Sequence, residues 1–294
     1  MDSSCSQYLN LKKLSHIEYR IKYYLGLLYY EDRVYVDNLI GIEDCQSNDL
    51  KNILVKYRFQ DKKFIYSNHD IQGNITTYTL VRNRWMNTIN NSIILLNIGG
   101  FVHCWNKFYY DQKDNIKFEN KINSVFWRGS TTGHNNRPGN RFTLVTNYFN
   151  KYKDIDVGFS HIVQGKINYK KYVKGGAKLS QFYKYKYLLS IPGNSEAGGL
   201  NWKLASNSLV LMPKPYAFSW LMEDMLIPNY HYILLKDDFS NLREKLDWCN
   251  SHPKEVKQII KNANKYMEMF RNIKEQEHIE YKVLELYFKK VKST

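Results

Sequence analysis

The stretch KYLLSIPGNSEAGGLNWKLASNSLVLMPKP, residues 186–215, changes character twice and predicts the fold of this part of the chain. It starts with an apolar run, Tyr187–Ile191, which is typical of a buried strand. Pro192, three glycines and small polar residues interrupt that run, and a helical pattern and a second apolar strand follow. A strand, a glycine-bearing loop, a helix and another strand in this order favour a parallel α/β sheet.

Short apolar strands alternate with helical patterns along the rest of the chain, most regularly from about residue 124 onward. The stretch 111–123 is polar and carries no strand signal. We therefore predict an α/β fold with two domains facing a cleft, residues 1–123 and 124–272, followed by a helical segment, 273–292. Within the second domain, the segment 216–226, YAFSWLMEDML, is predicted to be a helix.

The chain is strongly basic, with 43 Lys and Arg residues against 28 Asp and Glu residues, a formal charge of +15. This balance favours an acidic partner, which is a nucleic acid, an anionic membrane surface or a phosphorylated small molecule. The basic residues are scattered, and no nucleic-acid-binding motif is present. We expect no nucleic-acid partner, although a basic nucleic-acid-binding protein remains an alternative.

The four cysteines lie far apart and form no CxxC pair or Cys/His cluster with zinc spacing, which predicts reduced thiols and no metal site. The start, MDSSCSQYLNLKKLSH, has no apolar core of a signal peptide. No apolar run reaches the ~20 residues that span a bilayer. We therefore predict a cytoplasmic protein without a transmembrane segment.

Two loops have the composition of an anion site. The loop 193–199 lies between a predicted strand end and a helix, where backbone N–H groups and the helix N-terminus favour a phosphate. The stretch FWRGSTTGHNNRPGNR, 126–141, places Arg128 at a second strand end beside hydroxyl residues, with Arg137 and Arg141 after it. Each loop has a simpler alternative. The first can be a plain turn whose residues need positive φ values, and the arginines of the second can be ordinary surface residues.

Asp70 is the last residue of the polar tip Asn68–Asp70 that follows the predicted strand FIYS, residues 64–67, and it is the carboxylate of the first half that we single out as a general base. An ordinary loop aspartate is the alternative for Asp70. His69 and His103 are other candidates for the base, although a single histidine is more often structural.

Together these residues resemble glycosyltransferase family 90, which includes protein O-glucosyltransferases, capsule xylosyltransferases and lipopolysaccharide-modifying enzymes. The matching stretches include VFWRGSTTG at 125–133, SNSLVLMPKP at 206–215 and HYILLKDDFS at 231–240, within a resemblance that covers about residues 124–270. Bacterial and viral-type members are the most similar, and the first half of the chain matches weakly.

The resemblance implies a GT-B architecture, in which two Rossmann-like domains face a cleft. Residues 1–123 would be the acceptor-side domain, residues 124–272 would bind the donor, and the last helix would pack back onto the first domain. The implied reaction is metal-independent and inverting. It moves xylose or glucose, with xylose favoured, from a UDP-sugar to a glycan or glycolipid acceptor, and peripheral contact with a membrane is compatible with it.

Carried onto this sequence, the family pattern makes Asp70 the catalytic base. It also assigns the UDP-sugar to a set of loop and helix residues: Arg128, Gly129, Ser130, Thr131, Gly193, Asn194, Ser195, Glu196, Ala197, Gly198, Gly199 and Lys203. Gly199 stands where many eukaryotic members have an arginine, so another basic group must neutralise the donor. A catalytically inactive member that acts as a scaffold is the remaining alternative.

Overall fold

The computed structural model describes residues 15–67, 75, 77–86, 92–98 and 113–294. The described residues form two compact units. One unit is drawn from residues 1–99 together with 272–294, and the other from residues 100–271. The domain boundaries expected from the sequence remain a prediction.

The α-helices described by the structure are α1 His16–Leu25, α2 Asn48–Lys56, α3 Arg141–Tyr148, α4 Leu179–Phe182, α5 Leu200–Leu204, α6 Leu242–Ser251, α7 Pro253–Glu268 and α8 Ile273–Lys290. The described strands are β1 Val34–Val36, β2 Thr79–Val81, β3 Asn83–Trp85, β4 Ile93–Leu95, β5 Ile122–Gly129, β6 Ile155–Phe159, β7 Tyr185–Leu189, β8 Leu209–Met212, β9 Ala217–Ser219, β10 Ile233–Leu234 and β11 Val291–Ser293. Short 3-10 turns are Gly26–Tyr29, Phe118–Asn120, Ile167–Tyr172 and Glu223–Met225.

The second unit is built on a five-stranded parallel sheet with the order β10-β8-β7-β5-β6. Its strands contain continuous buried runs, such as Tyr187–Leu189 and all of Leu209–Met212, because both faces of the sheet are covered. Val125 and Trp127 pack into the large core on one face, and Phe126 packs into a smaller core on the other. The predicted α/β class with a parallel sheet is therefore confirmed.

The strand order contains one reversal. β5 is the first strand of this sheet along the chain, and it lies between β6 on one side and β7 on the other. The chain therefore moves outward in one direction after β5 and in the opposite direction from β7 onward. In open α/β sheets, ligands bind outside the carboxyl ends of the strands at such a switch point.

The predicted helix 216–226 is wrong. Its residues instead form β9, then a left-handed residue, Met222 with φ of +58°, and then the 3-10 turn Glu223–Met225. The carboxylate of Glu223 accepts hydrogen bonds from the backbone N and Oγ of Ser219, at 2.6 Å and 2.7 Å. These bonds to a buried carboxyl group stabilise a compact turn where local preference favours a helix.

The first unit contains two further pairs of parallel strands, β1 with β11 and β2 with β4. Helices α1 and α8 pack together around buried Arg20, whose guanidinium donates to Tyr24 Oη at 2.9 Å and to Gln276 Oε1 at 2.6 Å. None of the helices within the described residues is both long and apolar enough to cross a membrane.

Candidate functional site

Two loops meet at the switch point of the parallel sheet, and we call the space between them the β5–β7 crevice. It is formed by residues 130–140, which follow β5, and residues 190–199, which follow β7. Asn194 links the loops, since its Oδ1 accepts from Gly133 N at 2.8 Å and its carbonyl accepts from Arg137 Nη1 at 2.7 Å. The crevice therefore lies where an α/β sheet is expected to bind a ligand.

The two loops approach each other closely at a pair of glycines. Gly133 has a φ of +94°, and a Cβ atom there would lie 2.6 Å from the carbonyl oxygen of Gly193. A Cβ atom on Gly193 would lie 2.5 Å from Thr132 Oγ1. Within the described ranges the backbone N–H groups of Gly193 and Asn194 have no acceptor, and such groups are the donors that anion sites use.

Arg141, the first residue of α3, spans the crevice with neutral acceptors. Its Nε donates to the carbonyl of Pro192 at 3.1 Å and its Nη2 to that of Ile191 at 3.3 Å. Its Nη1 donates to the Ser130 carbonyl at 3.0 Å and to Thr132 Oγ1 at 2.6 Å. Within the part of the chain that the structure describes, no carboxylate pairs with this guanidinium.

Desolvation by the surrounding loops lowers the pKa of Arg141 to about 10, against a smaller opposing contribution from Tyr216. The guanidinium is therefore still protonated at neutral pH. Part of the Arg141 side chain remains exposed. Arg141 thus carries a positive charge with which no described carboxylate forms an ion pair, a chemistry suited to an anionic ligand.

Arg128 has the opposite environment. Its Nη2 forms a two-pronged ion pair with Asp156 at 2.9 Å and 2.8 Å, and its Nη1 donates to the carbonyl of Asp156 at 3.1 Å. Lys174 Nζ lies 2.7 Å from the same carboxylate. The guanidinium also lies 4.5 Å from the ring centroid of Phe126 on that face of the sheet. The role of Arg128 at a diphosphate stays a prediction, and a diphosphate would compete there with Asp156.

The three residues after Arg128 were also predicted to bind the donor, and the structure gives them different surroundings. Gly129 lies against the indole of Trp127, since a Cβ atom there would be 2.6 Å from a ring carbon. Thr131 is buried, donates to the carbonyl of Val163 at 2.9 Å and accepts from Val163 N at 2.8 Å. Ser130 alone of these three contributes both its carbonyl and its hydroxyl to the surroundings of Arg141.

The second half of the predicted donor loop leads into the short helix α5. Ser195 Oγ donates to the carboxylate of Glu196. Gly199 is the residue before α5, and a Cβ atom there would lie 2.8 Å from Trp202 Nε1. Lys203 is buried on α5, with its ammonium 5.1 Å from the ring centroid of Trp202. Ala197 and Gly198 complete the loop, and the ligand contacts of all six residues remain predictions.

A buried carboxyl group lies beside this loop. Burial, with a further contribution from the charge of Glu196, raises the pKa of Glu223 to about 8. Glu196, Glu223 and Ser190 line a small cavity of about 20 Å³, room for roughly one water molecule. The hydroxyl of Ser190 is buried and has no hydrogen-bond partner among the described residues, which is a costly arrangement for a polar group without a ligand or water.

Asp70, the predicted catalytic base, lies outside the described residues, as do His69 and His103. The prediction for Asp70 therefore remains untested.

Three residues at the crevice are absent from the UDP-sugar set predicted from the sequence: Arg141 and Thr132, which the sequence places in the candidate anion loop 126–141, and Gln164, whose Nε2 donates to Asn194 Oδ1 at 3.1 Å. The position of Arg141 at the start of a helix after a glycine-bearing loop is a usable signal. Gln164 has no such signal, because it reaches Asn194 only through the fold.

Both a protein-family model and individual proteins match this chain. A family model described as "Glycosyl transferase family 90" matches residues 85–293. The chain is 32% identical over 202 residues to an O-glucosyltransferase LpsA of Dichelobacter nodosus, an alignment that covers 67% of this chain and 59% of that protein.

Two vertebrate proteins also match. Protein O-glucosyltransferase 2 of Danio rerio is 28% identical over 144 residues, 48% of this chain and 28% of that protein. Protein O-glucosyltransferase 3 of Homo sapiens is 34% identical over 93 residues, 30% of this chain and 18% of that protein. The alignments thus span less than two thirds of the length of each of these relatives.

Proposed function

The chain belongs to glycosyl transferase family 90, and we propose that it transfers a sugar from a UDP-sugar donor to a hydroxyl group of a glycan acceptor. The observation that carries this proposal is Arg141, a cation held by neutral acceptors in the β5–β7 crevice. A nucleoside diphosphate supplies an anionic partner for Arg141, with which no described carboxylate forms an ion pair.

In this proposal the crevice binds the diphosphate of the donor. The charge of Arg141 attracts the phosphate oxygens, and the N–H of its Nη2 group that has no acceptor among the described residues donates to one of them. The N–H groups of Gly193 and Asn194 and the hydroxyl of Ser130 add further donors. The same donors stabilise the charge that develops on the leaving UDP as the bond to the sugar breaks. They act in a crevice that is already assembled, so little reorganisation is needed during the reaction.

The attack on the sugar requires a base, and we propose Asp70 for this role. Asp70 accepts the proton of the acceptor hydroxyl while that oxygen attacks the anomeric carbon from the face opposite UDP, which inverts the configuration. Substitution Asp70→Asn is expected to reduce transfer by ~10²–10⁴-fold. Binding of UDP, measured by thermal shift, should be unchanged in this variant, and normal turnover would exclude Asp70 as the base.

We propose glucose as the transferred sugar, because the relatives named above are O-glucosyltransferases. Xylose, which the sequence analysis favoured, is the second candidate through the resemblance to capsule xylosyltransferases. A GT-B arrangement of two domains and a metal-independent reaction belong to the same proposal.

The acceptor side of the proposal includes contact with an anionic membrane. The 39-residue stretch 157–195 contains seven lysines and no acidic residue. Lys170, Lys171 and Lys178 are exposed there, and Ile167 is 62% exposed. Such a surface favours anionic lipid headgroups. Cosedimentation with phosphatidylserine vesicles that does not exceed cosedimentation with phosphatidylcholine vesicles would exclude this contact.

The donor is tested by a thermal-shift panel of UDP, UDP-glucose, UDP-xylose, UDP-galactose and GDP-mannose, with EDTA present. A ligand at 100 times its Kd adds about 2.7 kcal/mol to the free energy of unfolding. Stabilisation by UDP and by one UDP-sugar supports the donor class and metal-independent donor binding and identifies the sugar. No shift with any compound would contradict the proposal and favour the scaffold alternative.

A further inference from the structure

A second concave site lies at the edge of the parallel sheet, and we call it the β10 groove. It has a volume of about 620 Å³ and is lined by the loop before β10, by α6 and by α7. This volume falls within the range of about 300–1,000 Å³ that is usual for small-molecule sites. The residues that carry the argument are Tyr230, Lys245, Trp248, Glu255, Gln258 and Asn262.

The β10 groove is separate from the β5–β7 crevice. The crevice adjoins the carboxyl end of β10, where Gly139 N donates to the carbonyl of Asp237 at 3.1 Å. The groove is instead lined by Asn229 and Tyr230, which precede β10, and by Ile233 at its start. A ligand in the groove therefore does not occupy the donor site.

Polar side chains on α7 line one wall of the groove at helical spacing. Glu255, Gln258 and Asn262 lie three and four positions apart, so they share one face of α7. Gln258 Nε2 donates to Asn262 Oδ1 at 2.8 Å, and Asn262 Nδ2 donates to the Tyr230 carbonyl at 3.1 Å. These contacts hold two amide groups in place. Within the described part of the chain, the Glu255 carboxylate has no partner.

Two aromatic rings supply the apolar part of the groove. The indole of Trp248 is half-buried and stacks on the ring of His252, with centroids 4.6 Å apart and an angle of 11°. Tyr230 is 50% exposed. Trp and Tyr rings of this kind present an apolar face together with a polar group, a combination that suits a ligand with both characters.

The charge of the groove differs from that of the whole protein. It contains one cation, Lys245, and one anion, Glu255, in a chain whose formal charge is +15. The ammonium of Lys245 lies 3.3 Å from the carboxylate of Glu244, which offsets it further. A phosphate or an anionic lipid finds no net attraction here. Amide, carboxylate and hydroxyl groups beside aromatic rings instead match a neutral ligand with many hydroxyls.

We propose that the β10 groove binds a neutral oligosaccharide and holds the acceptor glycan at a distance from the donor site. Sugar hydroxyls would pair with Glu255, Gln258 and Asn262, and the apolar face of a sugar ring would pack on Trp248. This assignment to the acceptor rests on the proposed transferase function, whereas the binding of sugar rests on the lining of the groove.

The test measures binding of maltotetraose, cellotetraose, xylotetraose and mannotetraose to the full chain by isothermal titration calorimetry. The wild-type protein is expected to bind at least one of them. The double variant Glu255→Ala/Gln258→Ala should weaken that binding by about tenfold or more, because hydrogen bonds to the ligand are lost. Trp248→Ala should weaken it as well. Lys261→Ala, on an exposed position of α7 outside the groove lining, is the matched control and should bind normally.

The thermal shift caused by UDP is measured on the same variants and should not change. This readout also shows that the double variant is folded, even if Trp248→Ala is not. Binding of none of the four tetrasaccharides, or equal binding by wild type and double variant, would overturn the groove proposal. Sugar binding without any UDP response would leave the groove standing and contradict the proposed function instead.

Discussion

Arg128 and Arg141 lie close together in the sequence, yet the structure gives their positive charges different partners. Arg128, on the face of the sheet, forms a bidentate ion pair with Asp156, which Lys174 also contacts. Arg141, in the β5–β7 crevice, donates to three carbonyls and to one threonine hydroxyl at 3.3 Å or less. Residue type and loop composition therefore do not decide which arginine serves a ligand.

The difference follows from how a charge is compensated when it leaves water. A partly buried guanidinium with a carboxylate is neutralised within the protein, and its loss leaves the carboxylate unpaired. A guanidinium among neutral acceptors has its hydrogen bonds but keeps its charge. We infer that the Arg128 site contributes to the stability of the sheet, whereas the Arg141 site is reserved for an anion.

The largest expected effect that tests this comparison is on ligand affinity. Arg141→Gln should weaken UDP binding by about 10–100-fold, because hydrogen bonds to charged groups contribute about 1.5–3 kcal/mol each. Affinity is measured by calorimetry or from the concentration dependence of the thermal shift.

Arg128→Gln is the matched control for that measurement, and its UDP affinity should stay close to that of the wild type. If Arg128→Gln weakened UDP binding more than Arg141→Gln did, the roles of the two arginines would be reversed. That result would also restore the prediction made from the sequence, in which Arg128 meets the diphosphate.

The second expected effect is on the free energy of unfolding, for which Arg128→Gln should have the larger effect of the two arginine substitutions. Arg128→Gln should lower the free energy of unfolding by about 1–3 kcal/mol, because Asp156 then keeps only Lys174 as a charged partner. Urea unfolding measures this change. In the double variant Arg128→Gln/Asp156→Asn the loss should be smaller than the sum of the two single losses. Additive losses would mean that the ion pair contributes nothing to stability.

The smallest expected effects are on the pH dependence of the free energy of unfolding. This dependence has opposite signs at Asp156, the partner of Arg128, and at Glu223, beside the crevice. Burial raises the pKa of Asp156, but the stronger combined effect of hydrogen bonds and charges from Arg128 and Lys174 leaves it below its usual value. This carboxylate is favoured in the folded state, so its stabilisation is present above about pH 4 and is lost in acid. Asp156→Asn should reduce the loss of stability on acidification.

The contribution of Glu223, beside the crevice, to the pH dependence of stability has the opposite sign. The pKa of Glu223 is raised from 4.5 to about 8, so the folded state favours the protonated carboxyl and loses stability as the pH rises through that window. Burial raises the pKa of Glu280 only to about 7, against smaller opposing effects of Tyr57 and Lys56. Glu223→Gln should therefore flatten the pH dependence of the free energy of unfolding between pH 7 and 8, and Glu280→Gln should flatten it less. Equal slopes in wild type and Glu223→Gln would refute this assignment.

The sequence predicted the local elements of the second unit where hydrophobic pattern and turn chemistry agree. The strand at Tyr185–Leu189, the glycine-bearing loop after it and the helix Leu200–Leu204 follow the predicted order. The segment 216–226 was mistaken for a helix because its apolar residues have helical spacing. The hydrogen bonds that the buried carboxyl group of Glu223 accepts from Ser219 stabilise a strand and a turn there instead, and the chain passes through the left-handed Met222.

The sequence by itself determined the α/β class, the positions of the two loops and the family, because each is written in contiguous residues. Only the tertiary structure decided the partners of the two arginines. Asp156 reaches Arg128 because β6 pairs beside β5, and the carbonyls of Ile191 and Pro192 reach Arg141 because β7 lies on the other side. Strand order sets these long-range contacts, and they determine which positive charge remains for a ligand.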